Sequence, residues 1–199
     1  MKIVTWADES HSALSNDRLL GKHAQKHGPP QIRLDKDPFR ALSGIVVGQQ
    51  LSGKAAKSIF SKLETLIGQT CPRAILNSSH ERLREAGLSN AKANTLVALA
   101  ESAGNGLCFK KISKMTDDEI RTELTKIKGI GPWSAEMFLM FTLGRPDVLS
   151  VGDLGLRKGL MKVHRLKEMP ESKACGALFE RWRPWRTAAA WYLWRTLED

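Results

Sequence analysis

A chain of 199 residues is long enough for one well-buried domain and short for two independent ones. Hydrophobic residues make up 42% of it and charged residues 26%, an ordinary globular composition that argues against long disordered segments. Lysine and arginine outnumber aspartate and glutamate by 31 to 21, and the net charge of +10 gives a surface that attracts polyanions. This charge favours nucleic acid as a partner, although many proteins without such a partner are also basic.

The sequence carries no segment typical of membrane insertion or secretion. No apolar run approaches the roughly 20 residues that a membrane-spanning helix needs, and residues 1–8 lack the apolar stretch of a signal peptide. We therefore expect a soluble, intracellular protein with no membrane partner. It would lie in the cytoplasm or nucleoid of a prokaryote, or in the nucleus of a eukaryote.

Cysteine and histidine usage gives no metal site. Cys71, Cys108 and Cys175 are widely spaced and odd in number, which fits neither a disulfide framework nor a cysteine-ligated zinc or iron–sulfur site. We predict that they are small, buried apolar residues. None of the five histidines stands at a spacing that builds a metal site. We expect no cofactor for catalysis and no iron–sulfur cluster.

The first elements predicted along the chain are two amphipathic helices. Asp37 followed by Pro38 is typical of a helix start, with Asp as the N-cap and Pro at the first helical position. A second helical pattern ends at Gly68. The polar sequence Gly-Gln-Gln at residues 48–50 therefore lies at a junction between helices.

Later helix starts are marked by capping residues, and loops by glycine and proline. Residues 78–81 and 116–119 both match the S/T-x-x-E capping box. Residues 104–115 and 144–147 are predicted as loops because they contain clustered Gly, Asn and Pro. No segment alternates with period two, so we predict an all-α fold of about ten helices.

Residues 126–134, with the sequence KIKGIGPWS, have the composition of a tight turn between two helices. Gly129 and Gly131 permit the turn, and Pro132 suits the first position of the next helix. Because the glycines carry no side chains, backbone N–H groups and the helix dipole can come close to a phosphate, and Lys126 and Lys128 add positive charge. Such a turn grips a nucleic-acid backbone without reading bases. The alternative is an ordinary helix–helix corner with glycine at its C-cap.

This nonapeptide resembles the DNA-binding hairpin of the helix-hairpin-helix glycosylase superfamily, whose pattern is apolar, any residue, Gly, apolar, Gly, then a helix. The superfamily places its essential aspartate about twenty residues beyond the hairpin, just before the next helix, and Asp153 stands there. Further matches extend the likeness over roughly residues 38–197, at residues 43–50, 83–89, 182–186 and 191–195. Within the superfamily the chain is most similar to the alkylation-repair branch, the 3-methyladenine DNA glycosylase II type.

The resemblance implies one monomeric glycosylase domain over residues 1–199, with an all-α, two-lobed fold and an active-site cleft between the lobes. A central helical lobe would span residues 38–142 and include the hairpin at 125–134, and residues 1–37 and 143–199 would form the second lobe. The implied enzyme is monofunctional. It would flip alkylated purines such as 3-methyladenine and 7-methylguanine out of double-stranded DNA and excise them by hydrolysis, leaving an abasic site for base excision repair.

Asp153 is the catalytic residue that the resemblance implies. Breaking an N-glycosidic bond develops positive charge on the sugar, and a fixed anion in a water-poor site stabilises that charge better than bulk water does. Asp153 precedes an apolar helical stretch, whose N-terminus should favour the ionised carboxylate. Asp153 could instead be only a helix N-cap, and the two roles could coexist.

The resemblance also assigns contacts with DNA. The hairpin would bind phosphates through Lys126, Lys128, Gly129, Ile130, Gly131 and Ser134. The wedge that fills the gap left by the flipped nucleotide would come from Gln49, Gln50 and Leu51, although Gln50 could equally be an ordinary exposed residue. A Na⁺ or K⁺ ion is implied at the hairpin, held by the main-chain carbonyls of Thr125, Ile127 and Ile130.

Aromatic residues match the family's base pocket. Trp133 and Trp194 stand at pocket-lining positions, and Met137 stands where a tyrosine can occur. An electron-rich wall suits a cationic alkylated purine. Bifunctional relatives carry a lysine nucleophile where this chain has Trp133, so no Schiff base can form at this position. Helical spacing in the C-terminal segment places Trp185 in the core instead.

Two other functions remain compatible with the sequence. A non-enzymatic module could use the hairpin only to bind alkylated duplex DNA, without releasing the base. A glycosylase of the same fold could act on uracil, hypoxanthine or an oxidised purine, because pocket shape decides specificity.

Overall fold

The computed structural model describes residues 2–198, and helices dominate it. Thirteen α-helices lie within this range. Seven of them follow one another in the middle of the chain: α3 Pro38–Gly48, α4 Gly53–Ile67, α5 Pro72–Leu76, α6 His80–Glu85, α7 Asn90–Gly104, α8 Phe109–Ile112 and α9 Asp117–Thr125. The others are α1 Ala7–Leu14, α2 Gly21–His27, α10 Pro132–Phe141, α11 Leu154–His164, α12 Ser172–Phe179 and α13 Arg186–Arg195, with a 3₁₀ turn at Glu180–Trp182. The predicted all-α class is confirmed.

The chain forms two compact units. The terminal unit takes in the chain up to Leu34 together with the segment from Leu139 onward, and the middle unit is Asp35–Phe138. The boundary between them falls inside helix α10. Within residues 2–198, no helix combines the length and the apolar character needed to cross a membrane.

Helix α7 is the packing centre of the middle unit. It contacts α3, α5 and α6, and its residues Leu96 and Leu99 are fully buried. Local signals set the helix starts: the Asp37 side chain accepts a hydrogen bond from the Arg40 amide at 3.1 Å. Burial of the apolar faces then holds helices that would be marginal alone.

Helix α13 has the same role in the terminal unit. It contacts α1, α2 and α11, and all its residues from Thr187 to Leu193 are buried. A helix that is buried on all sides has no polar face. Beside these helices, two short antiparallel strands pair with each other, Lys2–Ile3 and Arg33–Leu34. Each strand has only two residues, which is too short to show an alternating pattern in the sequence.

Most predicted helix boundaries hold, with local exceptions. The capping box at Thr116 and Glu119 is present, whereas the N-cap of α6 is Ser79, one residue later than the motif at residues 78–81 indicated. The predicted loop at 104–115 is wrong in part, because it contains α8. Helices as short as α5 and α8 span barely more than one turn and leave no periodic pattern, which contributes to the count above ten.

The cysteine prediction is correct for one residue of three. Cys175 is buried, but Cys71 and Cys108 are only half-buried. Cys71 is the N-cap of α5, where its sulfur accepts a hydrogen bond from the Ala74 amide at 3.4 Å. Both half-buried cysteines immediately precede short helices, so their positions reflect helix starts more than core packing.

Candidate functional site

Asp153, in the terminal unit, is both a helix cap and the acceptor of a tryptophan N–H. Its Oδ1 accepts the Leu156 amide at 2.7 Å, which makes it the N-cap of α11. The same oxygen accepts the indole Nε1–H of Trp194 at 3.0 Å. The helix N-terminus and the indole N–H both direct positive partial charge at the carboxylate.

Trp194 lies on α13, in the same unit. It is half-buried, and its ring lies 5.7 Å from that of Phe141 at an interplanar angle of 35°. Gly155 in α11 lies beneath it: a Cβ added there would stand 2.9 Å from the Trp194 ring and 3.1 Å from Asp153 Oδ1. The sequence matched Trp194 to a base pocket, and its hydrogen bond to Asp153 was not anticipated.

The segment that leads to Asp153 is anchored by the start of α13. The Thr187 amide donates to the Pro146 carbonyl at 2.9 Å. The Thr187 hydroxyl donates to the Arg145 carbonyl at 2.7 Å and accepts from the Val148 amide at 3.0 Å. These partners are about forty residues apart in sequence, so no local signal could have identified Thr187.

An ion pair reinforces this anchor. Arg186 donates from Nε to Asp147 Oδ1 at 2.7 Å and from Nη2 to Oδ2 at 3.1 Å, the two-pronged geometry that arginine and carboxylate favour. The Arg186 side chain is only 11% exposed. Residues 144–147 are thus non-helical, as predicted, and are held by hydrogen bonds and an ion pair. Trp185, predicted for the core, is half-buried with its ring 6.2 Å from that of Trp6.

The hairpin lies in the middle unit and joins α9 to α10. Ile127 and Ile130 are buried, and the Ile130 amide donates to the Ile127 carbonyl at 3.0 Å, which closes the turn. Gly129 has φ +90°, and a Cβ there would lie 1.9 Å from Thr95 Oγ1. A Cβ on Gly131 would meet nothing within 4 Å. Of the two glycines to which the turn was ascribed, only Gly129 is therefore required by backbone conformation and space.

The hairpin lysines are exposed, as a phosphate-binding role requires, but they differ in their partners. Lys126 Nζ lies 2.7 Å from Glu123 Oε1, so part of its charge is offset. Ser134 differs from the exposed lysines because its side chain is buried, with 1% exposure. Its contact is with another part of the same unit.

That contact comes from Gln49. The Gln49 amide nitrogen donates to Ser134 Oγ at 2.9 Å and to the Gly129 carbonyl at 3.1 Å. Gln49 thereby ties the junction between α3 and α4 directly to the hairpin. Next to it, Gln50 takes φ +57° and Leu51 is 39% exposed, so two of the predicted wedge residues lie at a sharply turned, solvent-facing bend.

A half-buried lysine supports the same junction. Lys92 of α7 donates from Nζ to the Val47 carbonyl at 2.8 Å, one of the carbonyls at the end of α3 that lack a helical donor. Burial lowers the pKa of Lys92 below its ordinary value. Sequence reasoning did not identify Lys92, since its partner is 45 positions away.

The residues predicted to line the base pocket belong to different units. Trp133 is half-buried and Met137 is buried in the part of α10 that belongs to the middle unit, whereas Trp194 belongs to the terminal unit. Contact between these residues and a base stays a prediction. Among residues 2–198, no group of three His, Cys, Asp or Glu side chains is arranged to hold a metal ion.

Comparison with known proteins identifies the family. Residues 44–184 match the HhH-GPD superfamily of base excision DNA repair proteins. The chain is 37% identical to DNA-3-methyladenine glycosylase 1 of Schizosaccharomyces pombe, over 98% of this chain and 90% of the relative.

Solved structures agree. A 3-methyladenine DNA glycosylase of Schizosaccharomyces pombe in complex with abasic DNA aligns with TM-score 0.89 and 34% identity, covering 96% of this chain and 97% of that one. A DNA-3-methyladenine glycosidase of Bacillus halodurans aligns with TM-score 0.79 and 36% identity, covering 98% and 92%. With its hairpin, its Asp153 at the start of α11 and these relatives, the chain belongs to the helix-hairpin-helix superfamily of base excision DNA repair proteins.

Proposed function

We propose that this protein is a monofunctional DNA glycosylase that excises alkylated purines, among them 3-methyladenine and 7-methylguanine, from duplex DNA and leaves an abasic site. The observation that carries the proposal is the placement of Asp153, a carboxylate held at a helix N-terminus by the Leu156 amide and the Trp194 indole. Relatives named as 3-methyladenine glycosylases support the substrate class.

In this proposal Asp153 acts on the sugar. As the bond between C1′ and the base nitrogen lengthens, positive charge develops on the sugar ring, and the Asp153 carboxylate stabilises it. The carboxylate also orients the water that adds to C1′, and the proton that this water gives up passes to solvent. The base leaves with the bonding electron pair, which is easier for an alkylated purine because the ring already carries positive charge.

The middle unit would supply the grip on DNA. We assign phosphate binding to the hairpin, where Lys128 and the backbone around the exposed Gly129 face solvent. The bend at Gln50 and Leu51 would insert into the duplex when the damaged nucleotide is flipped. Leu51, at that bend, is an apolar side chain with 39% exposure. Insertion between bases would remove its apolar surface from water, which favours Leu51 as an inserted side chain.

Base recognition and the absence of lyase activity are assigned to the aromatic residues. Trp133, Met137 and Trp194 would contact the flipped base, and the indole faces would attract its positive charge. Trp133 is the second residue of α10 and carries no amine. A Schiff base with the abasic sugar therefore cannot form at this residue, and the reaction would end at base release.

We also propose a monovalent cation at the hairpin, with the carbonyl oxygens of Thr125, Ile127 and Ile130 as ligands. Thr125 is the last residue of α9, where carbonyls lack helical donors, and Ile127 uses one lone pair for the Ile130 amide. Such oxygens are the donor type that hard cations prefer. If the ion contributes, replacing Na⁺ and K⁺ by tetramethylammonium at constant ionic strength should weaken duplex binding.

The experiment that tests the function is single-turnover release of 3-methyladenine and 7-methylguanine from methylated duplex DNA, comparing wild type with Asp153→Asn. Asn keeps a good capping oxygen but removes the charge, so folding should be retained while base release falls. A matched control is Asp37→Asn, which alters another aspartate N-cap and should leave release unchanged.

Several outcomes would count against the proposal. If the wild-type protein releases no base above the spontaneous rate, it is not a glycosylase for these bases, and only a DNA-binding function would be left. An Asp153→Asn variant with full activity would remove the assigned catalyst. Strand cleavage without added base, or trapping of the protein on DNA by borohydride, would contradict the monofunctional assignment.

A further inference from the structure

Helices α11 and α13 approach each other closely along a pair of glycines one turn apart. A Cβ added to Gly159 would lie 2.8 Å from the Leu193 carbonyl oxygen and 2.9 Å from Leu193 Cβ. A Cβ added to Gly155 would lie 2.9 Å from Trp194 Cδ1 and 3.0 Å from Nε1. Neither glycine has a positive φ, so backbone conformation does not demand glycine here.

The close approach of α13 therefore explains why both positions are glycine. Glycine inside a helix is less stabilising than alanine, and α11 carries the residue twice on the face that meets α13. Small residues spaced four apart let two helix backbones approach more closely than larger side chains allow. The closeness obtained this way brings the Trp194 indole to the carboxylate at the start of α11.

The indole completes a two-donor arrangement on a single carboxylate oxygen. Leu156 N and Trp194 Nε1 both donate to Asp153 Oδ1, at 2.7 and 3.0 Å. The amide belongs to α11 and the indole to α13, so the two donors come from different directions. Together they restrict rotation about both side-chain bonds of Asp153 and define where Oδ2 points.

The indole itself is held in place. Phe141 packs against it with ring centroids 5.7 Å apart, and Gly155 leaves room on the side of the indole that meets α11. A tryptophan needed only as an apolar or stacking wall would not require its N–H to point at a carboxylate.

We infer that Trp194 is a positioning residue for Asp153, whose carboxylate its indole N–H orients, and that glycine at position 155 leaves the space that this bond needs. The inference rests on the proposed function, in which Asp153 is the catalyst. It distinguishes the N–H of Trp194, which orients the carboxylate, from its ring, which was assigned to the base.

The decisive variant is Trp194→Phe, which keeps an aromatic ring and removes the donor. Under single-turnover conditions with saturating methylated duplex, we expect release of 3-methyladenine to slow by about 10- to 100-fold, the range for losing one hydrogen bond to a charged group. The DNA concentration for half-saturation should stay unchanged. A wild-type rate in Trp194→Phe would overturn the inference.

Two glycine variants separate positioning from general packing. Gly155→Ala should displace the indole and slow release in the same direction, and it should add little to the loss already caused by Trp194→Phe, since both changes remove one bond. Gly176→Ala in α12 is the control, because a Cβ there meets nothing within 4 Å, and it should leave release unchanged. Additive losses from Gly155→Ala and Trp194→Phe would contradict a shared bond.

A spectroscopic measurement tests the contact without using activity. In protein labelled with ¹⁵N-tryptophan, the Trp194 indole signal is identified by its loss in Trp194→Phe. It should be protected from hydrogen exchange in wild type, and both its shift and its protection should change in Asp153→Ala and Gly155→Ala but not in Gly176→Ala. If the shift and the exchange protection of the Trp194 indole are the same in Asp153→Ala as in wild type, the hydrogen bond is refuted.

The two sets of results separate the inference from the function on which it rests. If wild type releases no alkylated base, the proposed function fails, and the indole signal still decides whether Trp194 holds Asp153. If Asp153→Asn abolishes release while Trp194→Phe matches wild type, the function stands and the positioning inference fails.

Discussion

The hairpin contains two glycines whose replacement by alanine should change stability by very different amounts. Gly129 has φ +90°, a region that costs a residue with a Cβ about 1–2 kcal/mol. Its added Cβ would also lie 1.9 Å from Thr95 Oγ1 and 2.9 Å from Thr95 Cβ. The Thr95 hydroxyl is bonded to the Ala91 carbonyl at 2.9 Å, which opposes its rotation out of the way.

These two costs set the expected size of the effect. Relieving such an overlap by local shifts typically costs about 1–3 kcal/mol, so Gly129→Ala should lower the free energy of unfolding by about 2–5 kcal/mol. For a chain of this size that corresponds to about 5–15 °C in Tm. Gly131→Ala meets no atom within 4 Å and has no positive φ, so it should change stability by less than about 1 kcal/mol.

Urea unfolding followed by circular dichroism measures both variants under the same conditions. A third variant, Gly129→Ala combined with Thr95→Ala, removes the Oγ1 and Cγ2 atoms that the new methyl group meets. Part of the loss should return relative to Thr95→Ala alone, while the backbone strain remains. If Gly129→Ala is no more destabilising than Gly131→Ala, the geometric argument for the turn is wrong.

Three further predictions concern other contacts. Gln49→Ala removes the donor to Gly129 and Ser134, so it should lower the free energy of unfolding by about 1–2 kcal/mol and weaken binding to duplex DNA. Unchanged DNA affinity would show that the hairpin does not need these hydrogen bonds. Thr187→Val should cost about 1–3 kcal/mol in urea unfolding, because it leaves buried backbone groups without their hydroxyl partner, and Thr187→Ser, which keeps the hydroxyl, should cost less. Burial lowers the pKa of His164 below its ordinary 6.5, so the unfolded state binds the proton more tightly and stability should fall as pH drops below about 6.5. In His164→Gln the fall in Tm between pH 7.5 and pH 5.5 should be smaller, and identical slopes would exclude His164 as its source.

The parts of the site that could be predicted from the sequence have local causes. Asp37, Thr116 and Asp153 were recognised as helix starts because a cap acts on amides two or three residues away. The Gly129 turn and the position of Asp153 after it follow from a short motif and a spacing. These signals survive in a single sequence since the interacting groups are close along the chain.

Sequence patterns did not predict features that depend on very short elements or on residues far apart in the chain. Helix α8 and the two-residue strands are too short for periodicity to detect. Nothing in the sequence accounted for glycine at 155 and 159, because the residues of α13 that they meet lie more than thirty positions further along the chain. Gly131 shows the reverse error, because a glycine in a turn motif need not have a positive φ.

The sequence by itself determined the all-α class, most helix starts, the hairpin and the carboxylate that follows it, because each depends on residues within a turn or two of one another. Only the tertiary structure decided that Trp194 donates to Asp153 across 41 positions, that Gln49 holds the hairpin across 80, and that Thr187 anchors the segment before Asp153. The physical reason is that such hydrogen bonds exist only after packing has brought separate helices together. Their donors and acceptors leave no pattern in the chain until then.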